Sequence, residues 1–260
     1  MQLKDKIVVV TGAGSGIGKA LVMKFVAEGA RAVVGVDINP ETAKQTAADL
    51  GCVAMTADVT KEEDVIRIIE ETERDIGPID LFCSNAGIAI GASEQSPNED
   101  WQLIWEVNVM SHVYAARHLV PRMIQRGGGY FLNTASAAGL LNQIGGAAYG
   151  TTKHAAVGFA EWLALTYAHQ GIKVSLLCPQ AVRTAMTANS DDDATKAASN
   201  DGMMDPDQLA DIVVEHLQRE TFLILTHEEV KVYMTRKTSD YDRWIGGMNR
   251  LLQRLTGQGS

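Results

Sequence analysis

Short apolar runs alternate along this chain with longer amphipathic runs. The apolar runs predict strands at Ile7–Val10, Ala32–Val36, Val53–Thr56, Leu81–Ser84, Tyr130–Thr134, Lys173–Leu177 and Phe222–Leu225. The amphipathic runs predict helices at about Ile17–Glu28, Glu41–Leu50, Lys61–Ile76, Asn98–Arg126, Ala147–His169 and Pro206–Arg219. Short buried strands that alternate with helices are typical of a parallel sheet covered on both faces. The pattern therefore predicts the α/β class, as one doubly wound domain with a seven-stranded parallel sheet and helices on both faces.

Two segments depart from this alternation. Met186–Met204 is polar and long for an α/β connection, which fits either a mobile loop over the substrate or a solvated loop. Residues 228–260 predict a helical tail whose apolar stripe, around Trp244 and Leu251, suits packing or contact between subunits. No clear linker interrupts the chain, so residues 1–260 are expected to form a single domain.

The composition narrows the functional classes. The 260 residues are 46% hydrophobic and 21% charged, as in ordinary globular proteins. No apolar run approaches the roughly 20 residues of a membrane span, and the N-terminus lacks the pattern of a signal peptide. We therefore expect a cytoplasmic protein with no membrane partner. The net charge of −9 disfavours nucleic-acid binding, which requires a basic surface.

Cysteine and histidine suggest no metal site. The three cysteines, Cys52, Cys83 and Cys178, are odd in number and lie in apolar runs, which predicts buried free thiols. The six histidines form no ligand pattern. We expect no metal ion in the function of this protein.

A glycine-rich turn joins the first strand to the first helix. It contains Gly12, Ser15, Gly16, Ile17 and Gly18. Glycines let the backbone turn sharply and approach a ligand closely, and the free N–H groups at a helix start attract a pyrophosphate. This motif, placed after a strand and before a helix, predicts a dinucleotide site in a domain of the Rossmann type.

Asp37 ends the second predicted strand, about 20 residues after the glycine turn, and Ile38 follows it. A carboxylate at this place can bind the ribose hydroxyls of NAD and would repel the 2′-phosphate of NADP. Neither a lysine nor an arginine follows Asp37 directly, and residue 15 is a serine. NAD is therefore predicted over NADP.

Tyr149 and Lys153 are four residues apart in a predicted helix, so their side chains share one face. A tyrosine with its ordinary pKa of about 10 is a poor acid or base at neutral pH. A lysine charge nearby favours the phenolate and is expected to lower the pKa of Tyr149 towards the working range of a general acid/base.

Together these motifs resemble the short-chain dehydrogenase/reductase family, from about Lys6 to Thr184. Further matching motifs follow in the family's order: Asp58-Val59, Asn85-Ala86-Gly87, Asn108, Ser136 thirteen residues before Tyr149, and Pro179 followed by Val182 and Thr184. The resemblance implies catalysis by Asn108, Ser136, Tyr149 and Lys153. It also implies cofactor contacts from Asp58, Val59, Asn85, Ala86, Gly87, Tyr149, Lys153, Pro179, Val182 and Thr184, beside the glycine turn.

The family's pattern also suggests the reaction. The four-residue spacing of Tyr149 and Lys153 matches relatives that interconvert alcohols and ketones, whereas enoyl reductases have a wider spacing. The expected pocket segments are Ile88–Ile90, Gly139–Gln143 and Met186–Met204; the first two are mostly apolar and contain no arginine, which predicts a hydrophobic secondary alcohol or ketone. Gln180 stands where the family usually has glycine, and is either a substrate contact or a tolerated loop residue.

Two alternatives remain open on the sequence alone. The first is a non-catalytic NAD(H)-binding regulator that senses redox state on the same fold. The second is an NADP-dependent biosynthetic reductase. The resemblance further implies a homo-oligomer, a dimer or homotetramer, formed through the long helices Asn98–Arg126 and Ala147–His169. Phe159, Trp162 and Leu163 would supply an apolar contact there, or would face the core.

Overall fold

Seven parallel strands form one sheet in the computed structural model, which describes residues 1–188 and 199–257. The strand order is β3-β2-β1-β4-β5-β6-β7. Their bounds are β1 Ile7–Thr11, β2 Ala32–Asp37, β3 Val53–Thr56, β4 Leu81–Ser84, β5 Gly129–Thr134, β6 Ile172–Cys178 and β7 Leu223–Leu225. The α/β class and the seven-stranded parallel sheet are therefore confirmed, and the order of the strands reverses between β1 and β4.

Helices lie on both faces of the sheet. Their bounds are α1 Gly16–Ala27, α2 Pro40–Leu50, α3 Glu62–Asp75, α4 Asn98–Trp105, α5 Ser111–Gln125, α6 Ala138–Leu141, α7 Ala147–Tyr167, α8 Ala185–Ala188, α9 Pro206–Arg219, α10 Glu229–Ser239 and α11 Tyr241–Leu255. No helix in the described ranges is long and apolar enough to cross a membrane.

Side chains alternate between two core layers. Val9, Phe82 and Phe131 belong to the layer that α3, α5 and α7 cover, whereas Val8 and Leu132 belong to the layer under α1 and α9. Every residue of β1 and β4 is buried. A strand with both faces covered needs apolar residues at almost every position, which explains why these strands read as continuous apolar runs.

The predicted helix Asn98–Arg126 is interrupted. One turn, Glu106–Met110, has π-helical hydrogen bonding and divides the segment into α4 and α5. A π turn inserts one extra residue into the helical ladder, a feature that hydrophobic periodicity does not reveal and that occurs often at functional sites. The short helix α6, directly after Ser136, was not predicted.

The structure describes only part of the predicted loop Met186–Met204 but nearly all of the predicted tail, residues 228–260. Residues 189–198 of the predicted loop Met186–Met204 lie outside the described residues, while a 3-10 turn at Ser199–Asp201 precedes α9. The predicted tail contains the two helices α10 and α11. Trp244 of α11 lies against Tyr233 of α10, with ring centroids 6.4 Å apart, and Ile245 is exposed.

Candidate active site

A cavity of about 500 Å³ opens at the carboxyl ends of β1 and β4, where the strand order reverses. This is the place where doubly wound sheets bind their ligands. Eighteen residues expected from the sequence line it, namely Gly12, Ser15, Gly16, Ile17, Gly18, Asp37, Ile38, Asp58, Val59, Asn85, Ala86, Gly87, Ser136, Tyr149, Lys153, Pro179, Val182 and Thr184. Asn108 is fully buried and does not line the cavity itself.

The glycine turn has space only for glycine at two of its positions. A Cβ on Gly12 would lie 2.9 Å from Ala86 Cα, and the φ of 67° at Gly12 is left-handed. A Cβ on Gly18 would lie 2.0 Å from the Gly12 carbonyl oxygen. Helix α1 begins at Gly16, and its N-cap residue Ser15 makes no side-chain capping bond within the described chain. The turn therefore offers free N–H groups at a helix start, where a pyrophosphate binds favourably.

Asp37 is fixed by backbone donors. The Gly14 N–H donates to its Oδ2 at 2.8 Å, and the Asn39 N–H donates to its Oδ1 at 3.0 Å. Lys153 is the one cation among the described residues that line the cavity. The end of the cavity at Asp37 thus presents a carboxylate with no lining cation beside it.

Thr11 was not predicted as a site residue, yet it holds the two sides of the crevice together. Its Oγ1 accepts from the Asn85 N–H at 2.9 Å and from the Ala86 N–H at 3.0 Å. The Asn85 side chain donates to the Thr11 carbonyl at 3.0 Å, and the Thr134 hydroxyl donates to Asn85 Oδ1 at 3.3 Å. The spacing of Thr11 one residue before Gly12 was the available signal, but its pairing with β4 depends on the fold.

Ser136, Tyr149 and Lys153 meet on one wall of the cavity. Lys153 Nζ lies 5.6 Å from the centre of the Tyr149 ring and donates to the Thr134 carbonyl at 3.2 Å. Ser136 Oγ donates to the Pro179 carbonyl at 3.3 Å and accepts from the Ala138 N–H at 3.1 Å. The N–H at the start of α6 therefore fixes the position of the serine oxygen.

The expected lowering of the Tyr149 pKa is wrong for the protein's own groups. Burial raises the pKa of the Tyr149 phenol, although its hydrogen bond with Ser136 acts in the opposite direction. Burial also lowers the pKa of Lys153 to about 8. Because Lys153 is buried and Tyr149 is partly buried, loss of hydration outweighs the expected benefit of the lysine charge to the phenolate.

Asn108 lies in the π turn, with its amide bound on both sides. Its Nδ2 donates to the Ile88 carbonyl at 3.0 Å and to Thr152 Oγ1 at 3.3 Å, and its Oδ1 accepts from the Ile88 N–H at 3.0 Å. A Cβ built on Gly87 would lie 3.3 Å from both Asn108 Oδ1 and Lys153 Nζ. The amide of Asn108, held by the π turn, and the ammonium of Lys153 therefore both lie against Gly87.

The expectations for the pocket segments and for the cysteines are confirmed only in part. Ile88, Met186 and Gln180 line the cavity, whereas none of Gly139–Gln143 does. The Gln180 side chain donates to Asp201 Oδ2 at 2.8 Å. Cys83 and Cys178 are buried free thiols as expected, but Cys52 is only half-buried because β3 lies at the edge of the sheet.

A glycine turn at the reversal of a doubly wound sheet, next to a serine, tyrosine and lysine, defines an oxidoreductase that uses a nicotinamide dinucleotide. Residues 6–195 match the family model described as short chain dehydrogenase. The chain belongs to the short-chain dehydrogenase/reductase family, which confirms the resemblance found in the sequence.

Characterised relatives and a solved structure agree with this assignment. The chain is 32% identical over 254 residues to 1-deoxy-11-beta-hydroxypentalenate dehydrogenase of Streptomyces exfoliatus, with 94% of this chain and 91% of that protein covered. It is 33% identical over 191 residues to meso-2,3-butanediol dehydrogenase of Serratia marcescens, with 72% of this chain and 75% of that protein covered.

The solved structure is a short-chain dehydrogenase/reductase from Burkholderia phymatum in complex with NAD. It superimposes with a TM-score of 0.84 at 26% identity, with 93% of this chain and 96% of that chain covered.

Proposed function

We propose that this protein is an NAD-dependent oxidoreductase that interconverts a hydrophobic secondary alcohol and the corresponding ketone. The observation that carries the proposal is the position of Ser136, Tyr149 and Lys153 on one wall of the cavity that also contains the glycine turn. The names of two relatives, a hydroxypentalenate dehydrogenase and a butanediol dehydrogenase, support an alcohol substrate.

The side chains divide the chemistry between them. The Tyr149 phenolate takes the proton of the alcohol during oxidation, and the Tyr149 phenol donates a proton to the carbonyl oxygen during reduction. Ser136 hydrogen-bonds the substrate oxygen and stabilises its developing negative charge. Lys153 supplies positive charge beside the phenol, and Asn108 holds the backbone next to that lysine. Bound NAD supplies the ring that exchanges a hydride with the substrate carbon.

The residues present fit NAD. The absence of space for a side chain at Gly12 and Gly18 and the free N–H groups at the start of α1 suit a pyrophosphate. Asp37 suits the adenosine ribose hydroxyls. Among the described residues, no lining cation near this carboxylate would offset a 2′-phosphate, which favours NAD over NADP. The positive charge of the oxidised ring would also offset the raised pKa of Tyr149.

The substrate end of the cavity is apolar. Ile88, Leu103, Val107 and Met186 line it, and no arginine does so among the described residues. A carboxylate or phosphate on the substrate would find little compensation for its lost hydration there. We therefore assign an uncharged, hydrophobic substrate.

A substrate screen tests the proposal directly. Purified protein is incubated with a panel of secondary alcohols and NAD or NADP, and with the matching ketones and NADH or NADPH, while the absorbance of the reduced nicotinamide is followed. We expect turnover of hydrophobic alcohols with NAD, and none by Tyr149→Phe. Tight NADH binding without turnover of any member would favour the redox-sensing regulator, and a preference for NADPH would favour the biosynthetic reductase.

We further propose that the protein is a homo-oligomer, a dimer or tetramer. Large apolar side chains are exposed on the two helices expected to form the contact, α4 with Trp105 and α7 with Trp162 and Leu165. Of the three residues predicted for this contact, Leu163 is buried in the core, Phe159 is half-buried and Trp162 is exposed. Light scattering should give two or four times the mass of the chain, whereas a monomer would contradict this proposal.

A further inference from the structure

Three polar side chains lie together beneath the catalytic wall. Ser84 ends β4 and is the register partner of Asn133 on β5, so both point to the same face of the sheet. Phe82 and Phe131, two residues earlier on each strand, point into the core layer that α5 covers. His112 is a buried residue of α5, the helix packed on that face. We call Ser84, His112 and Asn133 the buried polar cluster.

The buried polar cluster contains unsatisfied hydrogen-bonding groups. Its members have exposures of 3% for Ser84, 2% for His112 and 1% for Asn133. Ser84 Oγ and Asn133 Nδ2 have no hydrogen-bond partner within the described parts of the chain, and neither ring nitrogen of His112 has a partner there in full hydrogen-bonding geometry. Each such group costs about 1–3 kcal/mol if it stays unpaired. Several of them at one place indicate a site for buried water, which usually makes about three hydrogen bonds.

The cluster is adjacent to Lys153. Asn133 directly precedes Thr134, whose carbonyl accepts from Lys153 Nζ at 3.2 Å. His112 lies four residues after Asn108, whose Oδ1 lies against Gly87, as Lys153 Nζ does. An ammonium group has three N–H donors, and the carbonyl of Thr134 accepts one of them. Among the described residues, two donors of the ammonium therefore stay available to a water placed between Lys153 and the imidazole of His112.

We propose that Ser84, His112 and Asn133 bind a buried water that hydrogen-bonds the Lys153 ammonium from the side of the sheet, which makes His112 a positioning residue for the catalytic lysine. The imidazole acts as a neutral group. Burial, together with the Lys153 charge, lowers the pKa of His112 to about 3, while a weak hydrogen bond with the Asn133 side chain acts in the opposite direction. A neutral imidazole can accept through one nitrogen and donate through the other, which suits a bridging water.

The catalytic consequence rests on the proposed function. The titratable groups around Lys153 are His112 of α5, Tyr149 of α7 and Cys178 of β6; burial raises the pKa of Cys178 to about 12, so its thiol is neutral. A bound water hydrates the ammonium and so favours the charged lysine. Without that water, Lys153 would lose its proton more readily, and the phenolate of Tyr149 would lose the support of that charge.

Three variants of the full chain test the role. His112→Phe keeps a planar ring but cannot bind water, His112→Gln keeps polar groups, and His169→Phe is the control at an exposed histidine. With an alcohol turned over by the wild type, kcat/KM is measured against pH. For His112→Phe we expect the rising limb to move about one unit to higher pH, with a loss of about tenfold at pH 7 and unchanged binding of NAD. His112→Gln should recover most of the loss.

Superimposable pH profiles for His112→Phe and the wild type would overturn the proposal while leaving the proposed function intact. A second measurement requires neither activity nor a folded variant. A high-resolution crystal structure of the wild type should contain a water within hydrogen-bonding distance of His112 and Lys153 Nζ. A dry site there would refute the water, whereas a wild type without turnover on any alcohol would refute only the proposed function.

Discussion

Replacing Lys153 with methionine should stabilise the protein at neutral pH, although it removes a side chain of the proposed catalytic set. Burial lowers the pKa of Lys153 from 10.5 to about 8. At about 1.4 kcal/mol per pKa unit, the buried ammonium costs about 3 kcal/mol at pH 7. Loss of the hydrogen bond from Nζ to the Thr134 carbonyl offsets about 1 kcal/mol of the gain. The expected net stabilisation by Lys153→Met is therefore about 2 kcal/mol at pH 7.

The pH dependence distinguishes this cause from better packing. Because the unfolded chain binds the lysine proton more tightly, the stability of the wild type relative to Lys153→Met rises with pH from about 8 to about 10.5. The advantage of the variant should fall by about 3 kcal/mol over that window. Urea unfolding at several pH values, without added cofactor, measures the difference. Lys4→Met, at an exposed lysine, is the control. A difference that does not change with pH would refute the reasoning.

Three further predictions concern the cofactor site and the thiols. Gly18→Ala should abolish detectable NAD binding in calorimetry, because its Cβ would lie 2.0 Å from a backbone carbonyl oxygen; binding within threefold of the wild type would contradict this. Asp37→Ala should weaken NAD more than NADP, which titration of both cofactors measures, and an unchanged ratio of the two dissociation constants would count against the ribose contact. A thiol reagent should label Cys52 in the native protein well before Cys83 or Cys178. Burial raises the pKa of all three thiols, but only Cys83 and Cys178 are fully buried, so the reagent cannot reach them in the folded chain. Equal labelling rates would contradict this prediction and show that the core opens readily.

The fold could be predicted largely from local patterns. Strands such as β1 and β4 are apolar at almost every position because helices cover both faces of the sheet, and that pattern is visible without coordinates. The π turn at Glu106–Met110 could not be predicted, since it shifts the register by one residue without a change of hydrophobicity. The helix α6 is too short to show periodicity.

Some features of the candidate site could likewise be predicted from local sequence, whereas others depend on the folded structure. The positions of Gly12 and Asp37 at the cavity could be predicted because they depend on local backbone geometry and on a fixed distance along the chain. The contact of Thr11 with Asn85 joins residues 74 positions apart, so only the sheet order reveals it. The raised pKa of Tyr149 results from burial by several elements, and spacing to Lys153 alone suggests the opposite direction.

The most direct test of the account compares Tyr149→Phe with the wild type in the same assay. Formation of NADH is followed at saturating NAD and alcohol, and NAD binding is measured separately by calorimetry. The account predicts that kcat falls by about 10³-fold, since the Tyr149 phenolate is the group that takes the alcohol proton, while the dissociation constant of NAD changes by less than about threefold. A variant that keeps its kcat would contradict the assignment of Tyr149 as the general acid/base.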